Sequence, residues 1–356
     1  MKAKALQFGK AMSAALFVLL LVVVGTKNAL AQNLVATLQH GDSISMYYGS
    51  NAFAQAHSAA QTGDIITLSS GTFNPTTITK AITLRGAGCC TDTVTGINPT
   101  IIGSTIKANV TDDEHSLTIE GIWLKDFWFV NINNPRFIKC NFSRIRSNYL
   151  YGSSQMQNAQ FVDCMVFLDN DYSLQDNTTN TQFINCYINL RPYLCTAETN
   201  VSFINSIVQF TNSETIEVMA VNSIFYYSEY YTSDWSSYAS SSLFQNCVSI
   251  KMDGLFANQT DTTNLAVGNY SDVFETYNGT YFSGNDPIWI NERFVLNSDF
   301  ASSFLGNDGT EVGIHGGQAP YNPRPNYMVL KQCNVATQST VDGKLSVEIQ
   351  VVSEGE

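Results

Sequence analysis

A short string, aromatic-x-(Asn/Asp)-(Cys/Ser)-x-apolar, recurs through the middle of the chain, and it restricts the fold more tightly than any other feature. It reads Phe161-Val162-Asp163-Cys164-Met165-Val166, then Phe183-Ile184-Asn185-Cys186-Tyr187-Ile188, then Phe203-Ile204-Asn205-Ser206-Ile207-Val208. A looser copy, Phe137-Ile138-Lys139-Cys140-Asn141-Phe142, precedes these; Ala220-Val221-Asn222-Ser223-Ile224-Phe225 and Phe244-Gln245-Asn246-Cys247-Val248 follow. The Cys/Ser positions 140, 164, 186, 206, 223 and 247 are separated by 24, 22, 20, 17 and 24 residues. Helical repeats need thirty or more residues and a 3.6 period, and leucine-rich repeats need a leucine framework that is missing here. A step near twenty with short alternating strands fits the coils of a parallel β-helix, in which like residues stack at the ~4.8 Å strand spacing. Phe then lies over Phe inside, Asn over Asn at a turn, and Cys over Cys or Ser.

That ladder bears on the eight cysteines. Serine replaces cysteine in register at 206 and 223, which fits a small buried slot holding free thiols. The coil spacing would also tolerate a disulfide such as Cys140–Cys164. Cys89 and Cys90 are adjacent, and no paired C-x-x-C supports a zinc site.

Residues 1–31 read as a secretory signal: Lys2, Lys4 and Lys10, an apolar run from Ala14 to Val24, and Ala29-Leu30-Ala31 before Gln32. The apolar run is about half the ~20 residues that a membrane span needs, and no later segment reaches that length. The expected location is therefore outside the cytoplasm: periplasmic, at the outer surface or secreted. The formal charge is −12, and without Lys2, Lys4, Lys10 and Lys27 the balance is 14 basic against 30 acidic side chains, or −16. Such a field repels nucleic-acid phosphates and anionic lipid, so neither is an expected partner.

Ahead of the repeat, Leu34–Met46 reads as a small hairpin. Ser50 or Asn51 is placed to cap a short helix with an apolar face of Phe53, Ala56 and Ala60. The string Gly63-Asp64-x-Ile66-x-Leu68-x-x-Gly71-Thr72-Phe73, followed by Ile82-Thr83-Leu84-Arg85-Gly86-Ala87-Gly88, resembles the opening coil of pectin-lyase-like right-handed β-helix proteins. Asp286-Pro287-Ile288-Trp289 and Asp308-Gly309-Thr310-Glu311-Val312-Gly313-Ile314-His315-Gly316-Gly317 resemble the closing turns of that superfamily. Over residues 33–317 the chain is similar to exported β-helix proteins of Gram-negative bacteria that carry no assigned activity. The organisation expected is a signal peptide at 1–31, a hairpin and capping helix at 32–62, and a right-handed parallel β-helix of roughly ten coils at 63–317. A Pro-rich linker and a strand pair (Tyr327–Val335 and Lys344–Val352) complete it at 318–356, where self-association is one role open to the tail.

The enzymes of that superfamily are polyuronate lyases, glycosidases and carboxyl esterases, and their chemistry sets requirements. A lyase needs clustered carboxylates for Ca²⁺ and an Arg or Lys as base, and a glycosidase needs paired carboxylates across a cleft. The weak catalytic candidates are Asp112 and Asp113, in the cluster Asp112-Asp113-Glu114-His115, and Arg144 and Arg146, two apart on one strand face. His40, His57, His115 and His315 are scattered and form no nucleophile–base group. No cofactor or metal is expected, Ca²⁺ belonging only to the lyase alternative. A second candidate is aromatic: between Phe225 and Tyr238, Tyr226, Tyr227, Tyr230, Tyr231, Trp235 and Tyr238 crowd a short stretch with Ser, Thr and acid between them. Such rings suit stacking on sugar faces, so these six are the expected glycan contacts. Trp123, Phe127, Trp128 and Phe129 form a second concentration, expected in the core. The leading reading is an exported, non-catalytic β-helix that binds polysaccharide or presents a rigid surface to a partner. A polysaccharide lyase or glycoside hydrolase is the alternative, and a structural or adhesive fibre the second.

Overall fold

The computed structural model describes residues 34–112, 114–147, 154–168, 178–190, 195, 197–210, 215–227, 234–279, 290–325, 329–335 and 347–352. Over these the chain is all-β, a parallel β-solenoid of about seven turns rather than roughly ten. Two things reduce the count. An early coil is long, running from Leu84 to its register partner Ile119. Among the described residues, the last strand to join either solenoid sheet is Leu265–Val267, and the chain after it runs back along the outside instead of adding coils.

The N-terminal end is closed by a hairpin, β1 (Val35–His40) and β2 (Ser43–Tyr48), followed by helix α1 (Ala52–Ala59). The hairpin is part of the solenoid wall, because β1 also pairs antiparallel with β3 (Ile65–Leu68). Phe53, Ala56 and Ala60 bury the helix against the first coil, as the sequence pattern requires. Asn51 does not cap the helix through its side chain; its Oδ1 instead accepts a 2.7 Å bond from Asn74 Nδ2.

From β3 onward, one wall stacks strands in parallel, with Ile66, Leu84, Ile119, Phe137, Phe161, Phe183 and Phe203 on successive rungs. The rings of Phe137, Phe161, Phe183 and Phe203 stack with centroids 4.8, 4.9 and 5.5 Å apart, near the strand spacing. Beside them runs the Cys/Ser ladder. Cys140 N–H donates to Cys164 Sγ (3.5 Å), Cys164 N–H to Cys186 Sγ (3.3 Å), and Cys186 N–H to Ser206 Oγ (3.2 Å). The thiol of Cys164 and the hydroxyl of Ser206 donate back to carbonyls of the preceding coil, Phe137 O and Phe183 O. A small side chain that both accepts and donates is what this slot needs, so Cys and Ser interchange. Cys89, Cys90, Cys140, Cys164, Cys186, Cys195 and Cys247 are free and buried. A thiol reagent should therefore titrate no more than one group, Cys333, in the folded protein and all eight after denaturation. A denatured count of six would reveal a disulfide.

Each coil turns on residues held in the left-handed region. One corner is an exposed asparagine ladder, Asn134, Asn158, Asn180 and Asn200, at φ 53°, 54°, 55° and 46°. Its amides bond coil to coil at 2.9, 2.9 and 2.7 Å. The other corner carries the motif's own Asn/Asp position: Lys139, Asp163, Asn185, Asn205, Asn222 and Asn246, at φ between 46° and 53°. This second corner is covered by the returning chain. Asn246 Nδ2 donates to Leu305 O (3.2 Å), Asn222 and Asn307 exchange bonds of 2.9 and 3.0 Å, and Asn185 Nδ2 donates to Gly316 O (2.9 Å). Lys139 Nζ then reaches Arg324 O (2.6 Å), while Arg324 pairs with Asp92 (3.3 Å). The strap at residues 305–325 thus reads the corner in reverse order. Gly313 and Gly317, at φ +74° and +81°, let it lie close, because a Cβ on Gly313 would press on Ile224 and one on Gly317 on the Asn205 amide. Beyond it, Val329–Val335 and Val347–Val352 form the expected antiparallel pair, with an irregularity between Leu330 and Gln332.

Asp163 is the exception in this corner. Burial beneath the strap pushes its carboxyl up to about 7, against the pull of Lys139 and the Asn322 N–H. The folded state then holds a proton that the unfolded chain releases near pH 4, so this group's contribution to stability is fully present below that value and is lost as pH rises through about 7. Asp163→Asn, which installs the residue that neighbouring coils use, should remove this slope and stabilise the protein by on the order of a few kcal/mol at pH 8. Denaturant melts at pH 5 and pH 8 check it; an unchanged slope in the variant assigns the effect elsewhere.

Candidate functional site

Most of the described aromatic residues of this segment are buried. Tyr226, Tyr227 and Trp235 are 0%, 2% and 0% exposed, and Tyr238 is half-buried with its ring 5.8 Å from that of Trp235. Tyr230 and Tyr231 lie outside the described residues. The strand Ile224–Tyr227 is buried on both faces, which breaks the usual in–out alternation. Phe225 and Tyr227 face the solenoid interior with Trp235, while Tyr226 faces the chain that follows Leu265–Val267. There Tyr277 Oη donates to Tyr226 Oη (3.0 Å), and both Tyr187 and Tyr226 donate to Gln209 Oε1 at 2.6 and 3.3 Å. Burial and these neighbouring phenols drive the Tyr226 hydroxyl well above its ordinary pKa. The described rings therefore serve packing inside the solenoid and against the returning chain, and the glycan contact expected of Tyr226, Tyr227 and Trp235 is withdrawn because all three are buried.

Asp112 belongs to a turn. Its Oδ1 accepts from the N–H groups of His115 (3.0 Å) and Glu114 (2.9 Å), and those two bonds hold the carboxyl below its usual range. Asp113 lies outside the described residues. Arg144 and Arg146 do share a face, and what they face is a carboxylate absent from the sequence-based candidates, Asp126. Arg146 Nη2 lies 2.7 Å from Asp126 Oδ2, and Arg144 Nε lies 3.8 Å from Oδ1.

The register explains the meeting. The strands Thr100–Val110 and Ile122–Asn133 pair in parallel, with irregularities at the bends. Thr105 falls beside Asp126 and Lys107 beside Trp128; on the next coil Ile145 pairs with Phe127 and Arg146 with Trp128. Phe127, Phe129, Ile106 and Ile145 point inward and are buried, so the residues between them are carried outward. Two rows result along the solenoid axis: Thr105, Asp126, Arg144, and Lys107, Trp128, Arg146. In the second row the indole lies between two cations, with Lys107 Nζ 5.3 Å and the Arg146 guanidinium 4.2 Å from the ring centroid. In the first, Asp126 Oδ2 also accepts from Thr105 Oγ1 (2.8 Å) and Trp128 Nε1 (2.9 Å). A few residues along, Lys125 Nζ sits 3.3 Å above the Trp123 ring, whose Nε1 donates to Ser143 Oγ (2.8 Å).

Two arginines thus gather on one carboxylate, with Lys107 and Lys125 over neighbouring indole rings, on a chain whose net charge is −12. Arg144 is 42% exposed, whereas Arg146 is 21% exposed and anchored by Asp126. Guanidinium and ammonium groups of this kind pair with anions, and here Asp126 and Trp128 hold Arg146 between them. The core placement expected for Phe127 and Phe129 holds; Trp128 is instead outward. Among the described residues no three His, Cys, Asp or Glu side chains are grouped to hold a metal ion, and no helix is long and apolar enough to cross a membrane.

Asp126→Ala should cost roughly 1–3 kcal/mol, because it strips Arg146, Trp128 and Thr105 of a shared acceptor at once. A thermal melt within experimental scatter of the parent would show that the cluster is merely solvated. No protein-family model, no curated protein and no solved structure matches this chain.

Proposed function

We propose that this chain is an exported, non-catalytic β-solenoid that binds an acidic polysaccharide at the corner formed by Lys107, Lys125, Arg144 and Arg146. The observation that carries this reading is the row Lys107–Trp128–Arg146, which sets two cations on alternate rungs along the axis with an indole between them. A polymer with an anionic group on each sugar presents a regular line of charges that two such cations can engage together. Guanidinium groups pair with carboxylate or sulfate in two-point fashion, and a lysine adds an adaptable point charge.

The negative surroundings favour one type of polyanion. A duplex or an anionic bilayer meets a wide area of the protein and is repelled by the −12 net charge. A single flexible glycan strand can touch the corner alone, since exposed charges more than about 8 Å away are largely screened at physiological ionic strength. Export rests on the lysines, apolar run and Ala-x-Ala site of residues 1–31. The non-catalytic reading rests on Arg146 being held by Asp126 and on Asp112 being engaged by its own turn, which leaves neither free to move a proton.

Affinity electrophoresis in gels containing polygalacturonate, alginate or neutral dextran tests the proposal. Retardation is expected in the acidic gels only, weakening as salt is raised. Arg144→Ala and Lys107→Ala should each weaken it about tenfold, the equivalent of one charge-assisted bond of ~1.4 kcal/mol. Equal retardation of parent and variants would remove the corner from the site. Unsaturated uronate or new reducing ends from either polymer would replace the binding reading with the lyase or hydrolase.

A further inference from the structure

The two ends of the solenoid are finished differently. A solenoid end exposes unpaired backbone groups, a template for another strand unless something blocks it. At the far end side chains do the blocking. Gln259 Oε1 accepts from Phe244 N–H (3.2 Å), Thr263 Oγ1 from Asn246 N–H (3.0 Å), and Asn264 Oδ1 from Cys247 N–H (2.9 Å). In return, Gln259 Nε2 and Asn264 Nδ2 donate to Ser242 O and Phe244 O at 2.8 and 2.9 Å. The amides mimic a further strand, and the edge is closed.

At the near end the outermost strand is β2, which is hydrogen-bonded to β1 on one side; among the described residues no strand pairs with its other side. Its sequence, Ser-Ile-Ser-Met-Tyr-Tyr, contains no charge, proline or glycine, the usual devices that protect an edge. Ile44, Met46 and Tyr48 alternate along one face and are 69%, 50% and 60% exposed. Tyr47, on the opposite face, packs on the core. The strand is also self-complementary. Set antiparallel to a second copy about Met46, it places Ile44 opposite Tyr48 of the other copy, Met46 opposite Met46, and Ser45 opposite Tyr47. These are aliphatic–aromatic and polar–aromatic cross-strand pairs of the stabilising kind, and residues 43–50 oppose no like charges.

We propose that two copies of this chain associate head to head through antiparallel pairing of β2, continuing the eleven-stranded sheet across a two-fold axis at Met46. Because the same strand meets itself about a two-fold axis, the contact is isologous and closes at a dimer instead of extending into a fibre. The pairing joins the two apolar triads into one patch on the outer face of the shared sheet.

Sedimentation of the protein expressed from the full sequence tests this. A concentration-dependent dimer is expected. Met46→Lys sets two ammonium groups against each other on the axis and should raise the dimer dissociation constant at least tenfold, with the thermal midpoint as a check on folding. Met46→Cys should cross-link to a covalent dimer on mild oxidation, since directly opposed antiparallel residues lie within disulfide reach. A parent that is monomeric at all concentrations overturns the proposal, whether its edge is paired by residues ahead of Leu34 or left bare. So does a dimer indifferent to Met46→Lys and Met46→Cys, or assembly beyond two copies.

Discussion

From Asn134 onward the coils turn on residues with φ near +50°, and the rest of the structure follows from how that constraint is met. A left-handed residue with a side chain is costly unless a short polar group offsets it locally, so asparagine is the natural occupant. Stacking the coils then stacks the asparagines. At the exposed corner, Asn134, Asn158, Asn180 and Asn200 satisfy one another. At the opposite corner, the amides of Asn185, Asn222 and Asn246 turn outward to an external chain, and the C-terminal strap supplies the carbonyls and amides that they need. The strap is thus the second half of a hydrogen-bonding scheme begun in the coils. Asp163 and Lys139 interrupt the asparagine run at adjacent rungs, and the buried carboxyl there makes stability depend on pH.

The basic corner arises from the same stacking. Thr105, Asp126 and Arg144 are far apart in sequence, as are Lys107, Trp128 and Arg146. Parallel register with inward-pointing Ile106, Phe127 and Ile145 leaves each trio one place to go. Asp126 holds Arg146 at 2.7 Å and Arg144 at 3.8 Å, so one carboxylate draws both guanidinium groups to the same corner.

Much of this was legible beforehand. The repeat of Phe, Asn and Cys/Ser named the fold, the phenylalanine ladder and the interchangeable thiol slot, because in-register stacking leaves identical residues at identical positions. The alternation of Arg144 and Arg146 already placed both on one face. The second asparagine ladder was missed because positions 134, 158, 180 and 200 lie outside the repeated string. Asp126 and Lys107 were missed because neither lies near the arginines in sequence, although Lys107 and Trp128 sit on opposite sides of buried residues in a period-two pattern. The tyrosines misled for a different reason. Composition shows that an aromatic-rich strand has two apolar faces, but not that both are covered.

The sequence by itself determined the coil, its ladders, the terminal hairpin and the capping helix, since each depends on residues close in the chain or on a short period. The tertiary structure alone decided the number of coils, the burial of Tyr226 and Trp235, the partner of Arg144 and Arg146, and which end of the solenoid is capped. Each of these depends on where residues after Val267 travel or on which rungs become neighbours. Those are contacts between segments separated by tens to nearly two hundred residues, and no local pattern encodes them.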